Sequence, residues 1–580
     1  MKLKTSYVSI ILVSALSLAI AATGYYIIQR QNQSAPLPAP EIIEPPIQPT
    51  EQIEEPKEIE PEVESLKQED LPTPELVPQP LVQEVKPKAK ARTKKPQAAA
   101  LPLPIPLPTS RAQHPVCSHE LGFKSLKEQV SHQKLSIQGT IPNWLQGSFV
   151  SVGPAIFEIG DTKAAHWLDG LAMIYQWNIE DQSIIYSNQL IESGYCKDCL
   201  AKGKLRGSTP EQKKSTWAKL TSAVSSAPRP IYDNTNINVA CFNNQLIALT
   251  ETPHGMCIDT KTLQTTGQFT FDDHIETQYT SPHPLFDPNT QEWYGIGIHY
   301  AHNSNYVIYK MGKNSTKRTV IATIPVGYPS YLHSFGMTEH YIILTETPFT
   351  VSPYDLLLSD TAFIDNFNWK PKNGSTFTLI DKRTGKKVGI YKTKAFFALH
   401  HVNAYEENGK VIVDLMTFKN PSITKAFAYE NLCNPNLNLP AAHLKRFTIN
   451  LEEGTVKSYK MSPHNIELPN INPHMLMRKY QYMYATSNEH GFAQHIFKLG
   501  LYDKHHQQWH EINSYPTEAI FVPRPGSTQE DDGAIISLVL DAAEKKSFLL
   551  ILDAKNLKEL ARAYMPHAIP FTVHSKFFAK

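Results

Sequence analysis

The chain has 580 residues, with 56 Lys and Arg against 55 Asp and Glu and a formal net charge of +1. That balance excludes a partner selected by bulk charge, nucleic acid first among them. Six cysteines are too few to staple a chain of this length, and its 44 prolines are unevenly spread.

Residues 7–28 carry no charge, and as a helix rising about 1.5 Å per residue they would span roughly 33 Å, enough to cross a hydrocarbon core. Lys2 and Lys4 precede the run, so the positive-inside bias predicts a cytoplasmic N-terminus and an exported, periplasmic or extracytoplasmic remainder. Ala19, Ala21 and Ala22 offer the small residues of a cleavable signal, but the apolar run continues through Tyr25, Tyr26, Ile27 and Ile28. The sequence therefore predicts an uncleaved single-pass transmembrane anchor over 1–30.

Residues 31–113 read as a disordered spacer. Between positions 36 and 108 lie 18 of the 44 prolines, with no glycine and no aromatic residue, so this stretch cannot build a core. Its first part is rich in Glu and its second in Lys. In polyproline geometry it would reach on the order of 200 Å at about 3.1 Å per residue.

From 114 to 580 the texture becomes that of an all-β domain. Short β-branched and aromatic runs recur at 245–250, 293–298, 305–309, 341–345, 410–415, 534–540 and 548–552, and turn chemistry such as Asp381-Lys-Arg-Thr-Gly385 and Glu406-Glu-Asn-Gly409 separates them. So many short strands imply a closed or radial β architecture. Cys196 and Cys199 lack both the further ligands of a zinc site and the context of a thioredoxin motif, which leaves a local disulfide or two ordinary thiols. Residues 197–224 carry seven Lys and Arg with Trp217, Leu220 and Val224 at helical spacing, and 354–369 form an apolar stretch; each reads as a membrane contact or as ordinary loop and cap.

Four histidines stand in apolar, strand-like settings: Ser-Pro-His283-Pro, Leu-His333-Ser-Phe-Gly, Ala-Leu-His400-His-Val-Asn and Phe-Thr-Val-His574. No carboxylate occupies a ligand place in these segments, so a shared metal would be bound by nitrogen alone, which suits Fe, Cu, Ni or Zn rather than Mg or Ca. A buried histidine taken singly is more often hydrogen-bonded core, and the spacing alone does not choose between the two.

The surrounding motifs resemble the carotenoid cleavage oxygenase family, including its retinoid isomerase branch. They run in family order over roughly 115–580: Gly139-Thr-Ile-Pro-Asn-Trp-Leu-Gln-Gly147, Val152-Gly-Pro154, His166-Trp-Leu-Asp-Gly170, Asp233-Asn-Thr-Asn236, Leu249-Thr-Glu251, Ser281-Pro-His-Pro284, His333-Ser-Phe-Gly336, His400-His-Val-Asn403, Glu467-Leu-Pro469, Glu530-Asp-Asp-Gly533 and Ile569-Pro-Phe571 through His574. The resemblance implies a seven-bladed β-propeller with a helical and loop-built cap. It also implies Fe(II) on the axis, held by His283, His333, His400 and His574. His400 is preferred to His401 because it stands three residues before Asn403.

By the same resemblance Glu251, Glu467 and Glu518 orient His333, His400 and His574, leaving His283 without a carboxylate. The implied reaction is O2-dependent cleavage of a conjugated double bond in a lipophilic carotenoid or apocarotenoid, giving aldehydes. Ile237 falls where cleaving relatives often carry Thr facing the vacant iron position, which keeps a retinoid isomerohydrolase as an alternative. Thr250 replaces the Lys of stilbene-cleaving relatives and argues against that substrate class. A non-catalytic, membrane-tethered propeller scaffold is the remaining reading.

Overall fold

In the computed structural model the described residues are 119–205, 233–358, 361–489 and 491–580. The expected anchor, the spacer and the basic segment beyond residue 205 lie outside them. Among the described residues no helix is long and apolar enough to cross a membrane.

Seven antiparallel sheets form a seven-bladed β-propeller. The second blade runs Asn238–Phe242, Gln245–Leu249, Met256–Ile258 and Thr265–Gln268, and the fourth to sixth repeat this four-strand meander in chain order. The hairpins form where turn chemistry allows them. Asn408 and Gly409 take positive φ between the first two strands of the fifth blade, as a tight hairpin whose twist matches its strands requires. At 381–385 the Asp381 carboxylate accepts the N–H groups of Arg383 and Thr384, and Gly385 closes the turn at positive φ.

Strands from both ends of the propeller domain close the ring. The C-terminal strand His574–Ala579 pairs with Gly147–Ile156 in the first blade, whereas the early strand Ile137–Gly139 pairs with Glu559–Tyr564 on the seventh. Apolar wedges fill the space between blades, such as Ile343, Phe377, Val413 and Phe447 between the fourth and fifth. Three buried ion pairs, Arg318 with Asp273 at 2.6 Å, Lys382 with Asp287 at 2.6 Å and Arg446 with Asp414 at 2.8 Å, and a half-buried one, Lys498 with Asp531 at 2.7 Å, add to them.

The expected cap consists of loops and short helices. One large cluster joins it to the propeller, with Phe123, Trp167, Tyr279, Tyr331, Phe349, Phe367, Phe397, Phe492 and Phe571 among its members. Polar clamps hold the cap in place. Asn234 and Asn236 donate to the carbonyls of Leu168 and Gly170, and Asp233 accepts from the N–H groups of Gly194 and Tyr195 at 2.7 Å each, capping the helix Gly194–Lys202. Cys196 and Cys199 lie buried on one side of this helix with no disulfide between them, so their spacing is that of a helix face turned to the core. Burial pushes the Cys196 thiol up to about 12.

Candidate metal centre

The inner strands are broken where they reach the axis. In the third blade the inner edge is split into Tyr279–Thr280 and Leu285–Asp287, with His283 in the gap. In the seventh it is split into Ser514–Pro516 and Ile520–Pro523, with Glu518 in the gap. The fifth blade's inner strand, Phe397–Glu407, shifts register between Ala398 and His401 and again before Asn403. Such irregularities re-aim side chains that a regular strand would alternate in and out. They turn His283 and His400 inward, joined by His333 just before the fourth blade's inner strand and His574 at the start of the C-terminal strand.

The structure brings together all four histidines expected from the sequence. One ring nitrogen from each lies within 4.8 Å of the others. Nε2 of His283 stands 3.0 Å from Nε2 of His333, and Nε2 of His400 stands 3.3 Å from Nε2 of His574. His333, His400 and His574 are buried and His283 half-buried. Burial, reinforced by the other three imidazoles, holds His283 well below the ordinary imidazole range, and burial lowers His333 against the pull of Glu251.

The opposite nitrogens meet carboxylates. Nδ1 of His333 is 2.8 Å from Glu251 Oε1, Nδ1 of His400 is 2.7 Å from Glu467 Oε2, and Nδ1 of His574 is 3.2 Å from Glu518 Oε1. Each pair is the one expected. A carboxylate accepts, so Nδ1 carries the hydrogen and Nε2 is left with its lone pair facing the cluster. Three such lone pairs converging in a buried space are what a metal ion would neutralise. Among the described residues no carboxylate is hydrogen-bonded to His283: the Asn238 amide, Nδ2, is 3.5 Å from its Nδ1 and donates to the Pro282 carbonyl at 2.9 Å.

His401 faces elsewhere, 2.7 Å from the Ser334 hydroxyl and 2.8 Å from that of Thr345, and burial takes it down to about 3. Asn403 clamps the 475–478 turn, donating to the carbonyls of Met475 and Arg478 and accepting from the N–H of Met477. Ile237 is buried directly before Asn238. Thr250 is buried too, its hydroxyl without a hydrogen-bond partner, against a void of about 20 Å³ lined by Phe242, Phe269, Phe271 and Tyr309. Phe242, Phe269 and Phe271 belong to the wedge between the second and third blades and not to the cap cluster, while Thr280, Ser281 and Pro284 beside His283 line the void as well.

Sequence reasoning missed the groups around Glu251. Its Oε1 also accepts from the phenols of Tyr331 at 2.5 Å and Tyr279 at 3.0 Å. Burial first, and then the carboxylate, pushes both phenols well above their usual range. Tyr331 stands two residues before His333, and the two rings stack with centroids 6.4 Å apart.

A family description headed retinal pigment epithelial membrane protein matches residues 123–579. The chain belongs to that family, the carotenoid oxygenases. The human beta,beta-carotene 15,15'-dioxygenase is 30% identical over 515 residues, covering 78% of this chain and 93% of that protein. The mitochondrial carotenoid-cleaving dioxygenase of Macaca fascicularis is 29% identical over 506 residues, covering 76% and 91%. Among solved structures, a cobalt-substituted oxygenase of Synechocystis is similar with a TM-score of 0.71 and 25% identity, covering 79% of this chain and 98% of that one. The range matched by the family description, 123–579, contains all seven blades and all four histidines.

Proposed function

We propose that this carotenoid oxygenase is a ferrous-iron dioxygenase that cleaves a conjugated double bond of a carotenoid or apocarotenoid, giving two aldehydes. The observation that carries the reading is the convergence of four imidazole nitrogens, three of them oriented by carboxylates, of which Glu467 and Glu518 are buried and Glu251 partly so. The donor set fits a transition metal and not a hard oxygen-seeking cation. His283, His333, His400 and His574 would hold the iron, which when bound supplies the redox chemistry with dioxygen.

The chain's own residues perform the rest. Glu251, Glu467 and Glu518 fix the tautomer and aim of three imidazoles. The aromatic cap cluster supplies apolar surface suited to a rod-like polyene and keeps water from it. Both atoms of dioxygen are accounted for by the two carbonyls, so no side-chain acid or base is required.

The test is metal content. Purified protein should take up about one Fe(II) per chain, with His333→Ala and His400→Ala losing both iron and turnover. A variant with full iron and full turnover would overturn the assignment.

We also propose that the enzyme is tethered outside the cytoplasm. The charge-free run 7–28 and the proline-rich stretch after it support this reading. Protease added to intact spheroplasts should then release a soluble propeller, whereas cleavage only after lysis would place the domain in the cytoplasm.

A further inference from the structure

The three carboxylates are not held alike. Glu467 Oε2 and Glu518 Oε2 each take a backbone N–H, from Leu468 at 2.7 Å and Ser575 at 2.8 Å, which fixes them to the sheet. Glu251 instead offers one oxygen to three side-chain donors: His333 Nδ1 at 2.8 Å, the Tyr331 hydroxyl at 2.5 Å and the Tyr279 hydroxyl at 3.0 Å. Tyr279 has one proton and two acceptors, since its oxygen is also 2.6 Å from the Leu332 carbonyl. Turning that hydroxyl adds or removes one hydrogen bond on the carboxylate without moving any backbone.

Both rings reach into the cap. Tyr279 stacks on Phe363 with centroids 6.1 Å apart, and Tyr331 meets Phe367 edge-on at 5.8 Å. Phe363 and Phe367 belong to the cap turn around the short helix Phe363–Asn366; Phe367 is buried, whereas Phe363 is 39% exposed and so links the cap surface to Tyr279. A continuous path of contacts therefore runs from the cap surface through Tyr279 and Glu251 to His333.

We propose that Tyr279 and Tyr331 are positioning residues that set the donor strength of His333 and make it respond to the packing of the 363–367 cap turn. Each phenol that donates to Glu251 draws negative charge from the oxygen that holds the His333 N–H. That weakens the carboxylate's pull on the proton and leaves the imidazole a poorer donor to a bound metal. Removing a phenol leaves more charge on Glu251, gives His333 more imidazolate character and favours the ferric over the ferrous state. Removing the charge of Glu251 acts in the opposite sense. The arrangement provides a route by which a substrate lying against the cap could alter how readily iron gives up an electron.

This inference rests on the iron-centre reading, and its test separates the two. The full chain is loaded with Fe(II), and the ferric/ferrous midpoint potential and the rate of ferrous oxidation in air are measured without substrate. Tyr331→Phe should lower the potential and speed oxidation severalfold, Tyr279→Phe should do the same to a smaller degree, and Glu251→Gln should raise the potential. Phe363→Ala, which removes the ring against Tyr279 and leaves the carboxylate untouched, should shift it in the direction of Tyr279→Phe. A Tyr331→Phe variant that keeps the wild-type potential, or moves with Glu251→Gln as general loosening would, overturns the phenol role. A Phe363→Ala variant at the wild-type potential overturns the link to the cap. Failure of the wild type to bind iron sinks the metal centre itself.

Discussion

Replacing Glu467 by Gln isolates the charge behind His400, because shape is nearly unchanged. Oε2 accepts two hydrogens, from His400 Nδ1 at 2.7 Å and the Leu468 N–H at 2.7 Å, while Oε1 is buried with no hydrogen-bond partner. A glutamine has one orientation that avoids donor facing donor: its carbonyl takes the Oε2 place and its NH2 the partnerless one. Hydrogen bonds to a charged acceptor contribute about 1.5–3 kcal/mol against about 0.5–1.5 for neutral pairs, so the two bonds together weaken by roughly 2 kcal/mol. The stranded NH2 adds about 1–3 kcal/mol, felt by the folded state with or without metal. Loss of charge behind a ligand typically lowers metal affinity by about 10- to 100-fold. Competition of Fe(II) or Co(II) against a chromophoric chelator should show that drop, and the metal-free variant should melt several degrees lower. Wild-type affinity together with wild-type turnover would refute the pairing of Glu467 with a metal ligand.

His574→Ala and deletion of residues 574–580 should differ sharply. The point variant should lose metal yet keep its β-sheet circular dichroism. The deletion removes the strand that closes the first blade and should yield aggregated or unfolded protein; a soluble, cooperatively melting truncation would contradict the closure. His401→Leu should leave metal affinity within about twofold while destabilising the fold by about 1–3 kcal/mol, because the hydroxyls of Ser334 and Thr345 lose their shared partner; loss of metal there would show His401 to be the ligand. Thr250→Lys should lower stability by several kcal/mol, since the ammonium would enter an apolar wedge, and should not confer cleavage of hydroxystilbenes. A stable variant with that activity would show that position 250 faces the substrate.

The strands and the four histidines were legible in the sequence for different reasons. Runs such as 245–250 and 341–345 announce strands because β-branched residues with turn chemistry at their ends have few other outcomes. The histidines lie up to 291 positions apart, and no periodicity joins them, so their convergence was visible only through the resemblance of the motifs around them. Several of those motifs prove to be clamps and not chemistry. Asn234 and Asn236 hold the 168–170 turn, Asn403 holds the 475–478 turn, and the Glu530 carboxylate binds the N–H groups of Gln481 and Tyr482.

Two features were not legible. Ring closure by strands from both ends of the propeller domain depends on pairing across more than 400 residues, which local pattern cannot encode. The phenols on Glu251 come from segments flanking two different ligands, and each looks like a core aromatic until the blades are assembled. Thr250, singled out by the resemblance as the place of a Lys in stilbene-cleaving relatives, lies buried against a small void lined by Phe242, Phe269, Phe271 and Tyr309.

The most direct test of the central claim is product analysis. The iron-loaded full chain is incubated in air with carotenoids, apocarotenoids, retinyl esters and hydroxystilbenes, and the products are identified by mass. The account predicts two aldehydes from a polyene, whose carbon counts sum to that of the substrate, absent without iron and absent in His400→Ala. Iron-independent products, a retinol released from its ester with no cleaved polyene, or faster cleavage of a hydroxystilbene than of any polyene would contradict it.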